Sequence, residues 1–127
     1  DLDHDACLEL KGRMLNLLDY CKPPPMTIFR MAIEEIEAFY LGDKSAIRAA
    51  FPKCKLSRMD SYIQDSICGT WEVFKAVIGE EGEDKVEWGR LMGSTLTTRW
   101  SGTSANNSHS FRQFCKGLLR LAGEPAE

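Results

Sequence analysis

Val86-Glu87-Trp88-Gly89-Arg90-Leu91-Met92-Gly93 is the stretch on which the reading of this chain turns. Trp88, Leu91, Met92, Thr95 and Leu96 recur at steps of three and four, which predicts one stripe of a helix running from Lys85 to about Trp100. Gly89 and Gly93 lie one turn apart on another side. Each Gly costs a helix interior about 1 kcal/mol relative to Ala, so the pair implies that something approaches this backbone closely. Arg90 stands beside the cleared strip, and its planar fork suits a carboxylate held by two parallel hydrogen bonds. The alternative is a small-residue contact between two helices of the core, with Arg90 solvated.

Working outward, Met59, Ile63, Ile67, Trp71, Phe74 and Ile78 predict a helix from about Ser57 to Ile78, capped by Gly79. An acidic connector, Glu80 to Asp84, follows, and Asp84 suits the N-cap of the Trp88 helix. Ser45 to Phe51 gives a short helix carrying Ile47, Ala50 and Phe51, which Pro52 ends. Before it, Pro25 can open a helix in which Phe29, Ala32, Ile33, Ile36 and Tyr40 align while Glu34, Glu35 and Glu37 face water. Cys7, Leu10, Met14, Leu17, Leu18 and Cys21 mark a first helix over Ala6 to Cys21, stopped by Pro23-Pro24-Pro25. Downstream, residues 101–108 form a polar loop, a last helix starts near Ser108 or Ser110 with Phe111, Phe114, Cys115, Leu118 and Leu119 on one face, and 123–127 is a tail. No run of alternating β-branched residues occurs. The expectation is a single all-α domain over 1–127, a compact bundle of five to seven helices around a central helix starting near Lys85.

A chain of 127 residues is enough for one core. Its net charge of −3, with 16 scattered basic residues, argues against nucleic acid as the main partner. No apolar run approaches the roughly 20 residues that span a bilayer. The five cysteines are odd in number and form no CxxC pair, which favours an intracellular setting. Against this stands Asn106-Asn107-Ser108, a glycosylation sequon. There is no phosphate-binding loop, no nucleophile elbow and no metal-ligand spacing, and His109 and Cys115 are placed too far round one helix to act as a pair. Neither enzyme activity nor a cofactor nor a metal is implied.

Trp88-Gly89-Arg90, preceded by Glu72-Val73-Phe74-Lys75-Ala76-Val77, resembles the first homology motif of the Bcl-2 family of apoptosis regulators. Glu87 replaces the family's Asn, and the intervening turn is several residues longer. Leu41-Gly42-Asp43, followed by Ile47 to Phe51, is similar to the third homology motif, and Leu8 to Tyr20 falls where the family's first helix would be. The second homology motif and a membrane tail are not evident, as in compact viral members.

The resemblance implies an inhibitor of apoptosis, cytoplasmic or peripheral at mitochondria, that sequesters the amphipathic death-motif helix of pro-apoptotic partners in a hydrophobic groove. By the same resemblance, Arg90 would pair with an Asp of the ligand and Gly89 would admit its backbone. Ile47, Ala50 and Phe51 on one wall, and Ile63, Ile67, Phe74 and Val77 on the other, would receive its apolar anchors. Trp88 and Leu91 would hold the motif's core. The competing readings are a secreted helical-bundle cytokine that uses the sequon, and a homo-oligomerisation module that dimerises through the Gly89 and Gly93 face.

Overall fold

The computed structural model describes residues 7–96 and 106–125. It is all-α: helices α1 (Cys7–Asn16), α2 (Glu37–Leu41), α3 (Lys44–Ala50), α4 (Thr70–Ile78), α5 (Lys85–Thr95) and α6 (His109–Leu121), with 3-10 turns at Leu17–Tyr20 and Leu56–Met59. The described residues contain no strand. The expected end of the Trp88 helix at 97–100, most of the polar loop (101–105) and the last two residues lie outside the described residues.

The most enclosed element is α2, not the Trp88 helix. All five of its residues are buried, and it packs against α3, α4 and α6. Tyr40 meets Phe74 of α4 at 5.1 Å between ring centroids, and Phe39 meets Phe111 of α6 at 5.2 Å. A helix enclosed on every side belongs inside a core, and five residues suffice because neighbours supply what its own short ladder cannot, Lys85 pairing its one charge, Glu37. On its flank, α5 buries Trp88 and Met92. Helix α1 buries none of its residues, and its stripe stays partly exposed.

Two expected helices are corrected. Between Pro24 and Ala32 the chain is not helical, although Phe29, Ala32, Ile33 and Ile36 kept helical spacing. Instead it lies extended along α6: Arg30 Nε donates to the Gln113 carbonyl at 3.0 Å, and a Cβ at Gly117 would stand 3.1 Å from Arg30 Cγ. The β-branched and aromatic run Thr27-Ile28-Phe29 suits that conformation. The helix expected over 57–78 is cut in two by residues 60–69, where Asp65 and Gly69 take positive φ of 57° and 80°.

Both corrections share a cause: remote carboxylates claim the helix starts. Glu34 accepts from the Gly69 amide at 2.9 Å, the Thr70 amide at 2.8 Å, the Cys68 amide at 3.2 Å and the Thr70 hydroxyl. Glu35 accepts from the Trp71 amide at 3.0 Å. Asp65 does the same for α6, accepting from the Ser110 amide at 2.9 Å and the Ser108 hydroxyl at 2.7 Å, beside the Ser108 cap. These groups satisfy amides that a helix start leaves without partners and sit at the positive end of its dipole. The expectation that Glu34, Glu35 and Glu37 form a solvated face is therefore wrong, and Glu37 is itself only 2% exposed.

Burial pushes the Glu34 carboxyl up, but hydrogen bonds from the Thr70 hydroxyl and the Gly69, Thr70 and Cys68 amides outweigh it and hold the group at about 2, below its ordinary 4.5. A depressed carboxyl contributes its full stability above the ordinary value and loses it as pH falls toward the folded one. Glu34→Gln should lower stability by about 1–2 kcal/mol at pH 7. The two proteins should converge as pH falls from 4.5 to about 2. Urea unfolding across that window checks this, and parallel curves would show that the charge is not what anchors α4.

Candidate partner-binding site

The Trp88 helix begins as the sequence predicts, with the Asp84 carboxylate accepting from the Glu87 amide at 3.0 Å. Trp88 is fully buried, its ring edge-on to Phe74 at 5.5 Å, and its indole Nε1 donates to Glu80 at 2.6 Å. Leu91 packs half-buried on the same core. Lys85 clamps the helix start. Its Nζ lies 3.5 Å from Glu35, 3.7 Å from Glu37 and 4.8 Å from the Trp71 ring centre. Burial raises the Glu37 carboxyl, with Lys85 opposing.

The glycine strip divides into two unlike halves. A Cβ at Gly89 would stand 3.4 Å from the Tyr40 hydroxyl, so its neighbour is the chain's own α2. At Gly93 a Cβ would meet nothing within 4 Å among the described residues. Arg90 does hold a carboxylate in the bidentate manner expected of it, but that carboxylate is Glu87, one turn back, at 2.6 and 2.7 Å. The pair is exposed.

The expected groove walls are not assembled as walls. Ile47, Phe74 and Val77 are fully buried and Phe51 nearly so, and all four belong to the core that α2 organises. Ile63 and Ile67 lie on the 60–69 segment, 73% and 54% exposed, because that segment is not helical. Of the expected wall residues, Ala50 and Phe51 border an opening. Helical facing identified the apolar residues correctly but could not say which apolar face another part of the chain already covers.

That opening was not read from the sequence. A depression of about 530 Å³ is lined by the apolar residues Ala50, Phe51, Pro52 and Ile78 and by the exposed cations Lys53, Lys55 and Arg58, with Gly79 and Glu80. A second, of about 410 Å³, continues past Arg58, Gly79 and Glu80 along the outer face of α4, over Trp71, Glu72, Lys75 and Ala76 to Glu81. The two adjoin at Arg58, Gly79 and Glu80, and together they are called the trough below. One backbone and one side-chain hydrogen bond tie its two sides together: the Lys55 amide donates to the Val77 carbonyl at 2.7 Å and Arg58 Nη1 donates to the Ala76 carbonyl at 3.1 Å. Pro52 and the three spaced cations were its only sequence signal.

Other expected features are placed as follows. Asn106 of the sequon is fully buried, donating to the Phe39 carbonyl at 2.8 Å and accepting from the Ser108 amide at 2.8 Å. It packs on Gly42, where a Cβ would stand 2.7 Å from the Ser108 amide nitrogen. The close approach that only glycine allows thus occurs at Gly42. All five cysteines are free thiols. Among the described residues no group of three His, Cys, Asp or Glu could hold a metal, and no helix is long and apolar enough to cross a membrane. Comparison of the chain with protein-family models, with curated proteins and with solved structures gives no match.

Gly93→Ala should raise stability by about 0.5–1 kcal/mol, since helix propensity improves and nothing is displaced. Gly89→Ala should gain less because of Tyr40. Thermal melts of both decide it, and destabilisation by Gly93→Ala would reveal a body seated on that strip.

Proposed function

We propose that the protein is a helix-binding interaction domain that inhibits apoptosis by holding the amphipathic death-motif helix of pro-apoptotic partners, and that the trough beside α4 is where it holds them. The observation that carries this is the trough itself: an open channel with an apolar floor, set between the end of α3 and α4, next to the Glu80 that anchors Trp88. Helix-in-groove recognition needs such a channel, with anchors entering an apolar floor and polar groups at the rim. The resemblance of Trp88-Gly89-Arg90 and Leu41-Gly42-Asp43 to Bcl-2 motifs supplies the class of partner. On this reading the protein works inside the cell, in the cytoplasm or against mitochondria.

A homo-oligomerisation reading is favoured by a separate observation. Leu8, Leu15 and Leu17 near the start, and Leu118 and Leu121 on α6, are exposed. Light scattering at two concentrations distinguishes a stable dimer from a monomer.

Titration against a panel of labelled death-motif helices tests the principal reading. Ala50→Trp should fill the floor and weaken binding by about 10-fold or more, with the melting temperature kept. Arg90→Ala should leave affinity within about 2-fold, since its fork is taken by Glu87. Absence of saturable binding across the panel would end this reading.

A further inference from the structure

We infer that the face made by α1, the extended 27–30 segment and the end of α6 docks on an anionic phospholipid membrane, whose phosphates are received by Lys11, Arg30 and Arg120. This does not depend on the helix-binding reading, since the face shares no residue with the trough. A depression of about 290 Å³ is lined by those three cations with Leu15, Thr27, Ile28 and Phe29, and no carboxylate lines it. Among the described residues none of the three cations has a carboxylate within ion-pair distance. Lys85, by contrast, has two, and Lys75 and Arg90 have one each. Like charges gathered without a counter-charge, in a chain of net charge −3, are complementary to an anion from outside.

Arg30 is the fixed member of the three. Its Nε donates to the Gln113 carbonyl at 3.0 Å and its Nη1 to the Phe29 carbonyl at 2.9 Å, which orients the guanidinium and leaves Nη2 for a phosphate oxygen. Helix α6 adds charge of the same sign: Arg112, Lys116 and Arg120 recur along it at four-residue steps, and it contains no Asp or Glu. Glu9, Asp19 and Glu124 are the acids on the adjoining segments, and none of them lines the depression.

Apolar residues decide that the phosphate belongs to a membrane. A crevice of about 100 Å³, lined by Ile28, Phe114, Gly117, Leu118 and Leu121, adjoins the depression at Ile28 and Arg30. Pockets that bury a small molecule start at about 300 Å³, so the crevice cannot enclose an acyl chain. A lipid lifted from its bilayer would leave its tail in water here. Yet Leu15, Leu118 and Leu121, which line the two hollows, are 50%, 51% and 39% exposed. Apolar side chains beside cations suit the boundary between headgroups and acyl chains, where apolar contact and charge attraction add.

Co-sedimentation of the whole chain with phosphatidylcholine vesicles, with and without phosphatidylserine, tests this. The chain should pellet with the mixed vesicles and stay in solution with phosphatidylcholine alone, and added salt should release it. Arg120→Glu, at an exposed position, should weaken binding by about 10-fold or more. Leu15→Asn, on a helix that buries none of its residues, should weaken it about 3-fold or more. Lys55→Glu makes the same charge change at the trough and should alter binding by less than about 2-fold. Vesicle binding that is indifferent to Arg120→Glu, or that Lys55→Glu weakens equally, overturns the inference. Failure to pellet with the mixed vesicles also overturns it, whether the leucines close a dimer that Leu15→Asn dissolves or the cations take glycerophosphoserine free in solution.

Discussion

Phe74 is the side chain through which the parts of this fold meet. Its ring lies 5.1 Å from Tyr40 of α2, 5.9 Å from Phe51 at the end of α3 and 5.5 Å from Trp88 of α5. Each contact is edge-on or tilted, the arrangement that aromatic quadrupoles favour over a flat stack. The four helices α2 to α5 are thus held together by one residue that is itself fully buried. The Trp88 helix is consequently a wall of this core. Its tryptophan faces inward because Phe74 is there, and Arg90, two positions on, is turned out to solvent and to Glu87.

A second constraint fixes the ends of the elements. The starts of α4 and α6 are each held by a carboxylate from a distant segment, Glu34 and Asp65. Burial pushes Asp65 up, yet hydrogen bonds from Gln64, Ser110 and Ser108 more than offset it and keep the carboxyl low. Both residues sit at positive φ, 61° for Glu34 and 57° for Asp65, a conformation that Asp tolerates but Glu and most other non-glycine residues avoid. Bonds to several donors hold the backbone there. The segments around Glu34 and Asp65 are irregular because they serve other helices' termini.

This explains what was legible in the sequence. Asp84 and Gly79 cap as read, and α6 starts at His109 beside the expected Ser108, since capping is decided within a few residues. The all-α class, Trp88 in the core and the start of α5 at Lys85 were equally local matters. What stayed hidden depended on contacts across the chain. Helical spacing at Phe29, Ile33 and Ile36 gives no sign that Gly117 on α6 opens a notch for an extended segment. Nor does spacing at Ile63 and Ile67 reveal that Asp65 is needed 45 residues away. For the candidate site the limit was the same: the sequence named the apolar residues, and only packing decides which of them neighbours already cover.

That packing also decides where a partner can sit. A groove opened between α3 and α4 would have to expose Ile47, Phe74 and Val77. At roughly 1.5–3 kcal/mol for each large side chain taken from a core, the three together cost about 4.5–9 kcal/mol. A domain of this size has about 5–15 kcal/mol of stability in all, and a micromolar ligand supplies about 8 kcal/mol. Such a ligand could not open that core and keep useful affinity. The trough demands no such opening, because its floor is already a surface between α3 and α4 and its walls are fixed by backbone hydrogen bonds at Lys55 and by Arg58. Binding there adds apolar contact without removing any, so a partner of moderate affinity fits the outside of this core and not its interior.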